Sequence, residues 1–131
     1  MYTLEEGGKL LDAFQARGHE EIDTARVYGS GTTEEMLGDL DWQKRKIVMG
    51  TKLYPNAGTQ YAQMSVGDAY NHQPADVRRG LQTSLKALKA EKVDLFYLHG
   101  PDRKTAFEDT LREVDKLHKE GLFNRFGISN Y

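Results

Sequence analysis

The chain has no cysteine, which excludes a disulfide framework, a thiolate nucleophile and any cysteine-ligated zinc or iron–sulfur site. A chain without cysteine suits a reducing compartment. Its opening residues, MYTLEEGGKL, carry neither a basic leader nor an apolar run, so a cytoplasmic location is expected. No apolar stretch approaches the roughly 20 residues a membrane-spanning helix needs, so no membrane partner is expected. A basic stripe is missing as well: 18 Lys and Arg are scattered among 20 Asp and Glu for a formal charge of −2. Nucleic acid is therefore not an expected partner. No pair of histidines stands at metal-ligand spacing on one helix face, so no metal is expected either.

What remains is 131 residues, 38% of them hydrophobic, which describes one globular domain over residues 1–131. Helical stretches with apolar residues three and four apart alternate with short apolar runs bounded by Gly, Pro or Asp. Thr3 and Glu6 form a capping box, Leu10, Leu11 and Phe14 follow on one face, and Gly18 closes that helix. His19–Thr24 reads as a short strand. Thr32 and Glu35 look like a second capping box, opening a helix with Met36, Leu37 and Leu40 inward. Lys46–Lys52 is the next strand, apolar enough in its middle to be buried on both faces. Residues 53–73 show no period, and a connection of that length is either functional or floppy.

Pro74 then suits the first turn of a helix striped by Val77, Leu81, Leu85 and Leu88. Val93–Leu98 is the clearest strand. Thr105 and Glu108 suggest a third capping box, with Phe107, Leu111, Val114 and Leu117 lining the helix and Gly121 ending it. Leu122–Ile128 is the last strand. Helix followed by strand four times over predicts an α/β fold with about four parallel strands.

In such a layout the loops after the strands gather at one edge, and polar residues ending the strands face a common site. Asp23 closes the first strand, Tyr28 follows in its loop, Lys52 closes the second strand and His99 the third. Singly, each has a plain structural reading: a turn cap, one of seven tyrosines, a solvated strand end, a satisfied core histidine. Together they suit proton donation to a carbonyl oxygen. A phenol is a poor acid at neutral pH, and a neighbouring ammonium makes it a better one. Lys52 would be that ammonium, Asp23 the carboxylate that keeps it charged, and His99 a hydrogen-bond donor that orients the carbonyl. A polarised carbonyl still needs a reductant, for which a hydride-carrying cofactor is the natural source.

At these residues the sequence resembles the aldo-keto reductases, nearest to the branch with the aflatoxin-aldehyde and succinic-semialdehyde reductases. One family signature is matched by GHEEIDTARVY at residues 18–28, followed by Gly31, Glu34, Leu37 and Gly38. A second is matched by LQTSLKAL at 81–88 and VDLFYLH at 93–99, and Thr51-Lys52 and GISNY at 127–131 complete the pattern. The resemblance implies a (β/α)8 TIM barrel, NADPH as the usual cofactor and a small aldehyde or ketone as substrate. It makes Tyr28 the proton donor, Lys52 the residue that strengthens it, Asp23 the partner of Lys52 and His99 the orienting group. Asp23, Thr24, Ser129 and Asn130 would contact the cofactor, the last two through the nicotinamide carboxamide.

A whole barrel of this type runs to roughly 250 residues, so the chain is expected to be a partial one, from the family's first helix to just past its fifth strand. The loops after strands seven and eight, where such barrels commonly grip phosphate, would lie outside it. An arc of four strands leaves two open edges that invite pairing with another chain, so a homo-oligomer through those edges is an expectation. Two other functional readings stay open: a non-catalytic binding or regulatory protein on the same scaffold, and an inactive truncated product. Ser84 and Asp94 are read as packing and capping residues, and His72 and His118 as surface residues. Tyr54, Tyr61, Tyr70 and the surroundings of Trp42 are candidates for a substrate-pocket wall.

Overall fold

The structure, a computed structural model, describes residues 3–62 and 68–131. Four helices, α1 (Leu4–Ala16), α2 (Thr32–Asp39), α3 (Pro74–Ala87) and α4 (Phe107–Lys119), each precede one of four strands, β1 (Glu21–Asp23), β2 (Val48–Leu53), β3 (Val93–His99) and β4 (Phe123–Ser129). A short 3-10 turn, Tyr28–Gly31, stands between β1 and α2. The strands lie in the order β1-β2-β3-β4, all parallel. Parallel neighbours need a crossover, and α2, α3 and α4 supply the three. The fold is a partial (β/α)8 barrel.

The core lies between the sheet and its helices. β2 has a strand on each side, and from Met49 to Leu53 every residue is buried, as its continuous apolar run predicts. Val77, Leu81, Leu85 and Leu88, the stripe of α3, are at most 6% exposed and pack against Met49, Leu53, Phe96 and Phe123 in one cluster. Gly38 lets α2 lie against the end of α3: a Cβ there would collide with the Ala87 carbonyl and the Leu88 backbone. The capping box of α1 is present, with the Thr3 side chain accepting from Glu6 N and the Glu6 side chain from Thr3 N.

Several expectations are corrected. Thr32 does not cap α2. Gly31, at φ +95°, is the N-cap residue, and the Thr32 hydroxyl donates back to Gly29 O at 2.7 Å. Thr105 does not cap α4 either, because the helix begins one residue later with Ala106 as its N-cap; the Thr105 hydroxyl instead donates to Asp102 Oδ2 at 2.7 Å. Phe107 and Leu111 are 45% and 47% exposed rather than packed inward. β2 starts two residues later than its apolar run suggests, since Lys46, at φ +57°, is still in the turn.

His72 is buried, not on the surface: its ring Nε2 donates to Leu53 O at 3.1 Å and its backbone N–H to Asp102 Oδ2 at 3.0 Å. Trp42 and Tyr70 belong to the core, Trp42 with its Nε1 donating to Leu88 O at 2.8 Å. In the long connection, buried Asn56 accepts from Tyr70 N at 2.8 Å and donates to Asp68 O at 3.3 Å, tying the two ends together. The middle of that connection, residues 63–67, lies outside the described residues.

Candidate active site

Parallel pairing sets the ends of the strands side by side. Asp23 pairs with Gly50, Lys52 with Tyr97, and His99 with Ser129, so the carboxyl ends form one rim. The chain leaving β1 stays pinned to β2, with Thr24 N donating to Gly50 O at 2.9 Å and Arg26 N to Lys52 O at 3.0 Å. That pinning carries Tyr28 back over the end of β2.

Lys52 is the centre. Its side chain is 7% exposed, and its Nζ donates to Asp23 Oδ2 at 2.6 Å and to Thr24 O at 3.0 Å. The Tyr28 hydroxyl lies 3.5 Å from the same nitrogen, at the long limit of a hydrogen bond. At that separation the interaction is mostly the field of a cation on the phenol oxygen. The Tyr28 and His99 rings meet edge to face with centroids 5.9 Å apart. All four residues expected at a common site are therefore brought together. Tyr28 is 40% exposed, so the residue stands at the open side of the rim.

An ammonium this buried is costly unless paired, and Asp23 with the Thr24 carbonyl supplies the pairing. The His99 imidazole is pushed below its ordinary value by burial first and by the Lys52 charge second, against the pull of Asp23. It is thus a neutral ring at neutral pH, with one N–H to donate. Thr24 is buried beside Asp23. Ser129 and Asn130 close β4, with Asn130 at φ +59° and its amide donating to Ser129 Oγ at 3.1 Å.

Two features lie outside the sequence expectations, and Tyr54, expected as a candidate pocket-wall residue, is found beside His99. The Tyr97 ring centroid lies 5.6 Å from Lys52 Nζ and that of Tyr28 5.1 Å, so two aromatic rings approach the ammonium. Tyr97 fits because a Cβ on Gly127 of the next strand would strike its ring. Tyr54 packs edge-on against His99 at 5.5 Å and against Tyr61 at 6.1 Å. Beneath the rim, fully buried Glu34 pairs with Arg26 and accepts from Thr51 Oγ1 at 2.6 Å, next to Lys52. Polar residues in a parallel strand were the available signal for Thr51. A cavity of about 720 Å³ between α2 and α3, lined by Arg26, Thr32, Thr83 and Lys86, includes none of Asp23, Tyr28, Lys52 or His99. Among the described residues no group of three or more His, Asp or Glu is placed to hold a metal ion, and no helix is long and apolar enough to cross a membrane.

An arc of parallel strands with Asp23, Lys52, Tyr28 and His99 gathered at its carboxyl rim defines a class by its architecture, part of a TIM barrel. The sequence profile of the Aldo/keto reductase family matches residues 2–131, and the chain belongs to that family. It is 53% identical over 129 residues to the aldo-keto reductase pigE of Monascus ruber, a match that covers 98% of this chain and 37% of that protein. To the human aflatoxin B1 aldehyde reductase member 4 it is 42% identical over 123 residues, covering 91% of this chain and 34% of the relative. A solved aldo-keto reductase from Klebsiella pneumoniae in complex with NADPH superposes with a TM-score of 0.78 at 26% identity, over 98% of this chain and 40% of that one. The chain thus spans a third to two fifths of the length of these relatives.

Proposed function

We propose that this chain carries the proton-donating site of a carbonyl reductase that converts aldehydes or ketones to alcohols with NADPH. The observation that carries the reading is the position of Lys52 Nζ, 2.6 Å from the Asp23 carboxylate and 3.5 Å from the Tyr28 hydroxyl. A reduced nicotinamide, when bound, supplies the hydride that adds to the carbonyl carbon. The protein's own part is the proton. Tyr28 gives its hydroxyl proton to the carbonyl oxygen, which becomes the alcohol, and the phenolate left behind regains a proton from water. Lys52 stabilises the negative charge on the phenol oxygen as the proton departs, and Asp23, 2.6 Å away, holds Lys52 in place. His99, neutral, donates its N–H to the carbonyl oxygen and fixes the carbonyl's direction.

The residues present fit the nicotinamide end of such a cofactor. Thr24 Oγ1 and His99 Nδ1 are buried at the rim without a hydrogen-bond partner, and orphans of this kind cost roughly 1–3 kcal/mol each until satisfied. A ligand rich in donors and acceptors would satisfy them. Ser129 and Asn130, side by side at the end of β4, would bond the carboxamide. The NADPH complex of the Klebsiella relative supports this reading.

The test is NADPH oxidation in the presence of an aldehyde, with NADPH binding followed separately by fluorescence. Tyr28→Phe should keep binding and lose carbonyl-dependent oxidation by roughly 10²- to 10⁴-fold, the range for removal of a general acid. Equal rates for Tyr28→Phe and the parent chain would refute the assignment.

A further inference from the structure

Lys52 stands on β2, with β1 on one side of it and β3 on the other. The atoms within hydrogen-bonding reach of its Nζ are Asp23 Oδ2, the Thr24 carbonyl and the Tyr28 hydroxyl. All three belong to the end of β1 and the loop that leaves it, so these bonds draw the ammonium toward one flank. The Asp23 side chain is also 57% exposed, and water competes for its carboxylate.

From the β3 side comes Tyr97. Register sets Lys52 beside Tyr97 and Tyr97 beside Gly127, a single row across β2, β3 and β4. Successive side chains of a strand point to opposite faces. Phe96 belongs to the core between sheet and helices, so Tyr97 shares the other face with His99. A ring in this row needs room, and Gly127 provides it: a Cβ there would stand 2.5 and 2.6 Å from Tyr97 Cε1 and Cδ1. Gly127 is not among the glycines with positive φ, so what it contributes is space rather than a turn. The ring centroid lies 5.6 Å from Lys52 Nζ, inside the range of about 6 Å over which a cation is drawn to an aromatic ring.

We propose that Tyr97 is a positioning residue for the proton transfer: its ring holds the Lys52 ammonium from the β3 side and keeps water from that flank, so that Nζ stays within reach of the Tyr28 hydroxyl. The inference rests on the roles given to Tyr28 and Lys52 in the carbonyl-reductase reading. Tyr97 hands over no proton and acts only through Lys52. An aliphatic side chain in its place fills part of the row but exerts no pull on a cation.

One readout needs neither cofactor nor carbonyl: acetylation of Lys52 by acetic anhydride, followed by mass spectrometry. The reagent takes only the neutral amine, so an ammonium held by the ring is protected. Tyr97→Leu should speed acetylation of Lys52 by about fivefold, the size expected of a cation–ring contact, and Tyr97→Phe should restore the protection. Phenylalanines carrying one to three fluorines at position 97 nearly keep the shape while drawing charge from the ring, and they should speed acetylation stepwise. In steady-state reduction of an aldehyde, Tyr97→Leu should lower kcat by about fivefold and move KM by less than about twofold, with kcat falling along the same fluorine series. Acetylation that is level across the fluorine series would show a ring that merely fills space, and overturns the inference. So does a Tyr97→Leu chain acetylated at the parent rate. Should the parent chain reduce no aldehyde, the carbonyl-reductase reading fails, while the acetylation series still upholds or overturns the hold of Tyr97 on Lys52.

Discussion

Removing the Arg26 side chain should destabilise the protein more than any surface ion pair could. Arg26 is paired with Glu34, and the two side chains are 11% and 0% exposed. Truncation to Met keeps the bulk and the aliphatic stem but leaves the Glu34 carboxylate in the interior with one remaining partner, the Thr51 hydroxyl at 2.6 Å. Breaking a buried pair on one side costs about 3–5 kcal/mol, because the surviving charge is uncompensated. A chain of 131 residues has about 7–20 kcal/mol of stability at 0.05–0.15 kcal/mol per residue, so the loss is a large share. By comparison, Lys9 and Glu5 are 71% and 76% exposed, and such a pair contributes about 0–1 kcal/mol. With a urea dependence of about 2 kcal/mol per molar, Arg26→Met should lower the unfolding midpoint by about 2 M, and Lys9→Met by well under half a molar. Arg26→Met combined with Glu34→Leu should recover much of the loss, since no lone charge is left inside. A midpoint shift for Arg26→Met no larger than that of Lys9→Met, or a double variant that loses the full sum, would refute the reasoning.

Lys52→Met should slow reduction at the chemical step while leaving substrate affinity nearly unchanged. Unit charges about 4 Å apart near a protein surface interact by about 4 kcal/mol; half-developed charge gives about 2 kcal/mol, or roughly 30-fold in kcat, to be read from single-turnover kinetics. Stability should also fall in mild acid. Burial pushes the imidazoles of His72 and His99 below 6.5, their ordinary value, so below that value the unfolded chain takes up protons that the folded one refuses. The slope approaches about 1.4 kcal/mol per pH unit for each group and ends where the folded groups themselves protonate. Urea midpoints measured at about pH 7 and about pH 5.5 should therefore differ less in His72→Gln than in the parent chain. Asp94 and Asp102, held below the usual carboxylate value with Arg125 and with His72 N–H among their partners, lose their contribution only at lower pH.

The parts of the fold that the sequence makes legible are those where one physical pattern dominates. β2 and β3 are short apolar runs because strands inside a parallel sheet are covered on both faces, and α3 announces itself by a stripe that is buried throughout. The strand-end residues are legible for a topological reason: once strands are parallel, Asp23, Lys52 and His99 must share a rim. The parts that stay hidden depend on contacts far along the chain. Thr32 and Thr105 have the right spacing for caps, yet the N-cap positions fall on Gly31 and Ala106 and each hydroxyl donates elsewhere. His72 looks like a loop residue until Leu53 and Asp102, 19 and 30 positions away, are seen to hold it. Phe107 and Leu111 keep the helical spacing of core residues while facing an open groove.

Glu34 joins the two halves of that lesson. On α2 it is one of two acidic residues in the first turn, and apart from its place in the family signature nothing local distinguishes it from exposed Glu35. Its burial follows from Arg26 on one side and Thr51 on the other. Arg26 in turn holds Lys52 O through its backbone N–H at 3.0 Å, and Thr51 is the residue before Lys52. One buried pair therefore ties the loop that carries Tyr28 to the strand that carries Lys52, fixing the 3.5 Å between phenol and ammonium from below the rim. If so, Arg26→Met should disturb proton transfer as well as stability, although Arg26 is set apart from the reacting atoms by the backbone it holds. Lys9→Met, with its exposed partner, should do neither.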